Sequence, residues 1–177
     1  DIDFQNAKIV SQDEYLRMIE LKTSVLLAAA AKIGSLAGGA SQKDADLMYE
    51  FGRNLGLAFQ IQDDILDTYG DSKVFGKATG GDIVSNKKTF LLVKAMELAP
   101  AKTRRRLQEI IDLEDFNSAD KINAVIEIYD QLNVREITGN IAGEYINRAF
   151  GKLDKVSAKK RKAEITLLAE SLIGRDK

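Results

Sequence analysis

From Leu57 to Thr68 the chain reads LAFQIQDDILDT, an apolar helical period into which three carboxylates, Asp63, Asp64 and Asp67, are set. A helix turns about 100° per residue, so Asp63 and Asp67 fall about 40° apart on one face, one turn from each other, with Asp64 beside them. Like charges at that spacing cost a helix a few tenths of a kcal/mol. A chain that keeps them among Phe59, Ile61, Ile65 and Leu66 therefore predicts a cation to offset the repulsion. Cationic candidates follow closely: Lys77, Lys87 and Lys88, with a further carboxylate at Asp82.

The chemistry open to this chain is narrowed by what it lacks. Its 177 residues contain no cysteine and no histidine, which removes disulfides, thiol catalysis, histidine triads and the commonest metal ligands. Carboxylates, lysines and hydroxyls must do the work. A net charge of −1 gives no electrostatic footprint for nucleic acid. No apolar run reaches membrane-span length, and residues 1–10 have neither the basic start nor the apolar core of a signal peptide, so a cytoplasmic location is expected. With 45% hydrophobic residues, 30% charged residues and one proline, the composition points to a helix-rich globular domain.

The helical pattern can be followed along nearly the whole chain. After an irregular lead-in at residues 1–10, Ser11 and Glu14 make a Ser-x-x-Glu capping box that opens a helix to about Ala37. Tyr15, Met18, Ile19, Leu26, Ala29, Ala30 and Ile33 form its expected apolar stripe, and Lys22 falls close to that stripe. Gly38-Gly39 should close this helix, and Ser41 should cap the next, running from Gln42 to about Thr68. Gly52, Gly56 and Ala58 within it would let a neighbouring helix come close. Residues 71–86 read as a non-periodic, glycine-containing loop of a length that suggests function, a flap that orders over bound ligand. Helices are then predicted over 89–98, 103–113, 119–132 and 134–153, with a break at Pro100, a cap at Ser118 and a bend at Asn133. Ser157 should start a last helix lined by Ile165, Leu168 and Leu172, and Arg104-Arg105-Arg106 reads as a solvated face. No strand pair, repeat or internal domain boundary emerges, and residues 1–177 are expected to form one all-helical domain of about six or seven antiparallel helices.

Two competing motifs fail. Read from Asp67, the segment has the length of a calcium loop but lacks glycine at the sixth place and an acid at the twelfth. Read from Gly81, GDIVSNKK approaches a phosphate-binding loop, yet Asn86 replaces its second glycine and Lys88 its serine or threonine. A purely structural acidic face is the plain alternative for the aspartates. The chemical alternative is magnesium, which binds through one or two carboxylates plus substrate phosphates. Asp63 and Asp67 can supply the carboxylates, and Lys77 and Lys87 can help to form a cationic cage around a diphosphate, whereas Lys22, read from the residues alone, is either a lysine snorkelling out of a helix interface or one aimed into a cavity.

The ordered set Lys22-Thr23, Phe59-Gln60 with Asp63-Asp64 and Asp67, Gly76-Lys77, Gly81-Asp82-Ile83 and Asn86-Lys87 resembles the second aspartate-rich region of the trans-prenyl diphosphate synthases, the family of the farnesyl and geranylgeranyl diphosphate synthases. The likeness spans nearly the whole chain, and its specific motifs lie between Tyr15 and Thr89. It implies an all-α antiparallel helix bundle of the isoprenoid synthase type, part of a larger bundle. It also implies a prenyltransferase that condenses an allylic diphosphate with isopentenyl diphosphate through a Mg2+-assisted allylic carbocation.

By that resemblance Asp63, Asp64, Asp67, Lys22 and Lys87 are catalytic, and Asp63, Asp67 and Asp82 hold metal. Lys22, Thr23, Phe59, Gln60, Lys77 and Lys87 bind substrate, with Gln60 and the backbone at Lys22-Thr23 against the cation and Phe59 near the isopentenyl unit. The released diphosphate takes the proton, so no histidine is needed. A homodimer is implied for the full-length protein. The family carries two aspartate-rich motifs, and no second DDxxD occurs in these residues. The chain thus looks like the C-terminal half of such an enzyme, expected to be inactive alone. The Lys77–Asp82 spacing is one residue longer than in some members. A terpene cyclase or squalene-synthase-like enzyme, and a non-catalytic subunit of a prenyl synthase, are the other readings.

Overall fold

The computed structural model describes residues 10–70, 79–113, 115, 117–157 and 162–174, and among them there are nine α-helices, one π-turn and no strand. They are α1 (Gln12–Ile19), the π-turn (Glu20–Ser24), α2 (Val25–Ala37), α3 (Gln42–Tyr69), α4 (Gly81–Val84), α5 (Phe90–Leu98), α6 (Ala101–Ile111), α7 (Ser118–Gln131), α8 (Val134–Leu153) and α9 (Lys162–Ile173). The all-α class expected from the sequence is found. These helices gather into two compact units, each assembled from two stretches of chain.

Asp63–Gly139 and the described residues up to Tyr15 make the first unit. Its core is built from Ile83, Leu91, Leu107, Val125, Ile128, Tyr129 and Val134. Thr89 starts α5 by accepting a hydrogen bond from the Leu92 N–H, 3.3 Å away. Asn117, rather than the expected Ser118, caps α7: its Oδ1 accepts from the N–H groups of Ala119 and Asp120. At Asn133 the chain bends through a positive φ of 53°, and Asn133 Nδ2 donates to Glu136 at 2.8 Å, securing that turn locally. Arg104, Arg105 and Arg106 are exposed, as their run suggested.

Leu16–Gln62 and the described residues from Asn140 onward make the second unit, with a core of Met48, Phe51, Leu55, Ala149, Leu153, Val156 and Ala169. Ile165 and Leu172 of α9 pack on this core, but Leu168 is exposed and Ala169 takes its expected place. Ser157 lies in a bend, where its N–H and hydroxyl both donate to the buried Asp44 carboxylate.

The capping box at Ser11 and Glu14 is present in both directions, with the Ser11 N–H donating to Glu14 at 2.8 Å and the Glu14 N–H to Ser11 Oγ at 3.2 Å. From there the helix runs to Ala37 as expected, but with a π-turn in its middle. The Val25 N–H bonds to the Glu20 carbonyl five residues back, so the turn holds one residue more than an α-helical turn. That extra residue rotates everything after it by about 100°. The buried face therefore passes from Tyr15 and Ile19 to Ser24 and Ala28, with Ala31 and Ser35 half-buried beyond. Leu26 and Ile33, placed inward by an unbroken 3.6-residue period, are 76% and 65% exposed. The sequence expectation for this stripe holds before the turn and fails after it.

The face that results is made of small residues, and α3 meets it with glycines. A Cβ on Gly56 would sit 2.8 Å from Ser24 Cα, and one on Gly52 would sit 2.9 Å from both Ala28 Cα and the Leu27 carbonyl oxygen. Gly56→Ala should thus lower the unfolding free energy by about 1–3 kcal/mol, because the overpacked contact is backbone and cannot step aside. Gly139→Ala, in α8 with nothing within 4 Å of its added Cβ, should instead gain up to about 1 kcal/mol from helix propensity. Urea unfolding midpoints of the two variants measure both effects. A Gly56→Ala protein as stable as wild type would remove the close-packing account.

Candidate active site

In the first unit the three aspartates of α3 have three different surroundings. Asp64 is 4% exposed. One of its carboxylate oxygens accepts the Tyr15 hydroxyl at 2.5 Å and the Phe90 N–H at 2.7 Å, and the other lies 3.8 Å from Lys87 Nζ. Phe90 is the first residue of α5, so Asp64 satisfies an N–H that has no partner within its own helix. Burial pushes the Asp64 carboxyl up to about 6, against the opposing effect of the Tyr15 and Phe90 bonds and the Lys87 charge. Burial and the Asp64 charge likewise push the Tyr15 hydroxyl upward, keeping its proton in place. Tyr15 also meets Phe90 edge-on, with ring centroids 5.3 Å apart. Asp64 is thereby an organiser of the site and does not present its carboxylate to solvent.

Asp63 is exposed and Asp67 half-buried. Asp67 Oδ2 accepts the Asp82 N–H at 2.8 Å, and the Asp67 carbonyl accepts the Gly80 N–H, which ties the C-terminal turns of α3 to the start of α4. Burial raises the Asp67 pKa, opposed by the bond from the Asp82 N–H. Asp82 Oδ2 in turn pairs with Lys87 Nζ at 2.7 Å. For Lys87, burial works against the charged form, but the Asp82 bond and the Asp64 charge outweigh it and hold the pKa above the usual lysine value. A protonated lysine is thus fixed against two carboxylates, close in sequence to Lys88, whose pKa burial lowers.

One particular of this region departs from the sequence expectation. The predicted non-periodic loop over 71–86 contains helix α4 at Gly81–Val84. Lys77 lies outside the described residues, as does the 71–78 part of the supposed flap. Among the described residues no group of three or more acidic side chains converges closely enough to hold a metal with protein atoms alone, and the expected metal set of Asp63, Asp67 and Asp82 relies on phosphate oxygens as well. The donor set nonetheless suits magnesium, whose remaining positions are commonly filled by water and substrate phosphate. Tyr15 and the Phe90 N–H were not foreseen as partners of Asp64. The available signal was the aspartate itself, since a carboxylate inside an apolar period needs donors.

In the second unit Lys22 and Thr23 occupy the π-turn, an irregularity that often marks functional positions. Arg53 Nε donates to Glu20 at 2.7 Å, which pins the first residue of that turn to α3. That bond is the chief cause lowering the Glu20 pKa and raising that of Arg53. Lys22, Thr23, Leu26, Gly56, Phe59 and Leu172 are among the residues lining a cavity of about 390 Å3 whose walls are almost wholly apolar. Gln60 is half-buried in the same unit. One helix, α3, thus supplies Phe59 and Gln60 to the second unit and the three aspartates to the first.

The Asp64 environment generates a measurable dependence on pH. The folded protein holds its proton up to about pH 6, whereas an unfolded aspartate gives it up near 3.8. Folded chains therefore bind more protons between these values, and this group's contribution to stability falls as pH rises through that window. Relative to wild type, Asp64→Asn should gain stability on going from pH 4 to pH 6, by on the order of 2–3 kcal/mol. Urea unfolding at a series of pH values reads the difference, and a constant difference would overturn the assignment.

Comparison with known proteins bears on the same residues. Residues 1–129 match the family model described as polyprenyl synthetase. The chain is 34% identical over 177 residues to the short chain isoprenyl diphosphate synthase of Methanothermobacter thermautotrophicus, covering 99% of this chain and 53% of that protein. It is 34% identical over 180 residues to the geranylgeranyl diphosphate synthase of Methanosarcina mazei, covering 99% and 52%. A crystal structure of geranylgeranyl pyrophosphate synthase superposes with a TM-score of 0.90 at 37% identity, over 100% of this chain and 55% of that one. The chain thus spans about half the length of these relatives, and no described helix is long and apolar enough to cross a membrane. Its fold is the all-α isoprenoid synthase fold, and by the family model that matches residues 1–129 the chain belongs to the polyprenyl synthetase family.

Proposed function

We propose that these residues form part of a prenyltransferase of isoprenoid biosynthesis, one that joins an allylic diphosphate to isopentenyl diphosphate. The observation that carries this reading is Lys87, held protonated by Asp82 and Asp64 where α3 presents Asp63 and Asp67. A fixed cation beside carboxylates suits an anion that reaches the protein with its own divalent metal. Asp63, Asp67 and Asp82 would hold Mg2+ together with diphosphate oxygens, and the metal supplies positive charge to the leaving group when bound.

In the reaction the allylic C–O bond breaks with its electron pair leaving on diphosphate. The double bond of isopentenyl diphosphate then forms the new C–C bond, and a proton is lost to the released diphosphate. Lys87 and, by resemblance, Lys22 and Lys77 stabilise the charge that gathers on the diphosphate oxygens. Gln60 and the backbone at Lys22 and Thr23 stabilise the cation. The open apolar groove bordered by Thr23, Leu26 and Phe59 offers a hydrocarbon ligand an apolar surface in the second unit. The family resemblance extends the reading to a cytoplasmic homodimer.

Asp63→Ala, made in an active protein that contains these residues, should lower kcat by at least ~100-fold while leaving the helical circular dichroism unchanged. Near-normal turnover in that variant would overturn the assignment. These 177 residues hold a single DDxxD motif, so on their own they should yield no elongated product from magnesium, isopentenyl diphosphate and an allylic diphosphate. Magnesium-dependent product that vanishes on Asp63→Ala would show instead that one motif suffices.

A further inference from the structure

Two residues other than glycine in the described chain take a positive φ, Asn133 and Asn86. Asn133 gains its side-chain partner locally, from Glu136 three residues on. Asn86, at a φ of 55°, is secured differently: its Oδ1 accepts a hydrogen bond of 2.7 Å from Lys121 Nζ, 35 residues further along the chain. Lys121 also donates to the Ile111 carbonyl at 3.3 Å, and its side chain is almost fully inside the protein, 3% exposed. Burial pushes its ammonium below the usual lysine value, with the Asp112 charge opposing. A buried lysine is costly unless acceptors meet it, and here the Asn86 amide oxygen and the Ile111 carbonyl do so.

Asn86 stands between α4 and the Lys87 to Thr89 segment that leads into α5. Its N–H bonds to the Ile83 carbonyl, and the following Lys87 N–H returns to the Asp82 carbonyl at 2.9 Å. The left-handed step at Asn86 is what folds the chain back, so that Lys87 Nζ meets Asp82 on the preceding helix at 2.7 Å. An L-residue other than glycine holds this conformation at a cost, which side-chain bonding can offset.

We infer that Lys121 is a positioning residue for the diphosphate site, which fixes the left-handed turn at Asn86 and through it aims Lys87 at Asp82 and Asp64. The inference rests on the diphosphate role proposed above for Lys87. It adds a residue of α7 that reaches the site through Asn86, the residue preceding Lys87.

A double-mutant cycle with glycine at position 86 separates positioning from packing, because glycine adopts the turn without side-chain support. Binding of inorganic pyrophosphate to the 177-residue chain in the presence of magnesium is measured by calorimetry for wild type, Lys121→Met, Asn86→Gly and the double variant. Lys121→Met should weaken pyrophosphate about fivefold or more with asparagine at 86, and less than about twofold with glycine there. An equal loss in both backgrounds, or no loss in either, overturns the inference. A second readout stands apart from ligand binding: the Asn86 backbone carbon chemical shifts should carry the signature of positive φ in wild type and lose it in Lys121→Met. Retention of that signature overturns the positioning role. Failure of the wild-type chain to bind magnesium pyrophosphate would count against the proposed function instead, and the chemical shifts would still decide the role of Lys121.

Discussion

The first unit depends on one buried carboxylate. Asp64 takes the Tyr15 hydroxyl, the first N–H of α5 and the neighbourhood of Lys87 into a single cluster. Each of those groups would be poorly placed without it, since an aspartate taken out of water is tolerated only when donors meet it. The same carboxylate therefore fixes α1 and α5 against α3 and sets the electrostatic conditions for the lysine that follows. Its neighbours in sequence can be left outward because it faces inward. A run of three aspartates is in this way divided between structure and chemistry, Asp64 with its donors, Asp63 exposed, Asp67 tied to the start of α4.

A chain of small commitments leads from there to Lys87. Asp67 accepts from the Asp82 backbone and so sets the start of α4, the left-handed Asn86 reverses the chain, and Asp82 receives the lysine. None of these contacts is strong alone, for a net hydrogen bond contributes about 1 kcal/mol. Their value lies in order: the lysine reaches its position already paired, so that the diphosphate proposed for it need not freeze its rotamers. Lys121 extends that support one layer outward, into α7.

Much of this was legible in the residues. The capping box at Ser11 and Glu14, the glycine stop after Ala37, the bend at Asn133 and the close approach at Gly52 and Gly56 each follow from local chemistry that the sequence displays directly. Of the DDxxD pattern and the lysines after it, Asp64 and Lys87 come within 3.8 Å of each other. Partners distant in sequence were not legible, because nothing in a one-dimensional pattern says that Tyr15 will meet Asp64 or that Lys121 will meet Asn86. The apolar stripe of α1 and α2 failed for a sharper reason. Periodicity assumes a constant number of residues per turn, and Glu20–Ser24 departs from it.

That departure makes helix phase a heritable property of this segment. Were the turn to close as ordinary α-helix with all its residues in place, the phase would slip by one position and carry Leu26 and Ile33 toward the glycines of α3, where Ser24 and Ala28 now fit. Deleting one residue between Glu20 and Ser24 would instead shrink the step from Ile19 to Ser24 from five positions to four, the spacing of one α-helical turn, and leave Ser24 and Ala28 facing α3. Insertions and deletions are ordinarily harmless in loops and ruinous in helices. In this segment one extra residue has become architecture, because the phase it sets turns the small residues Ser24 and Ala28 toward α3.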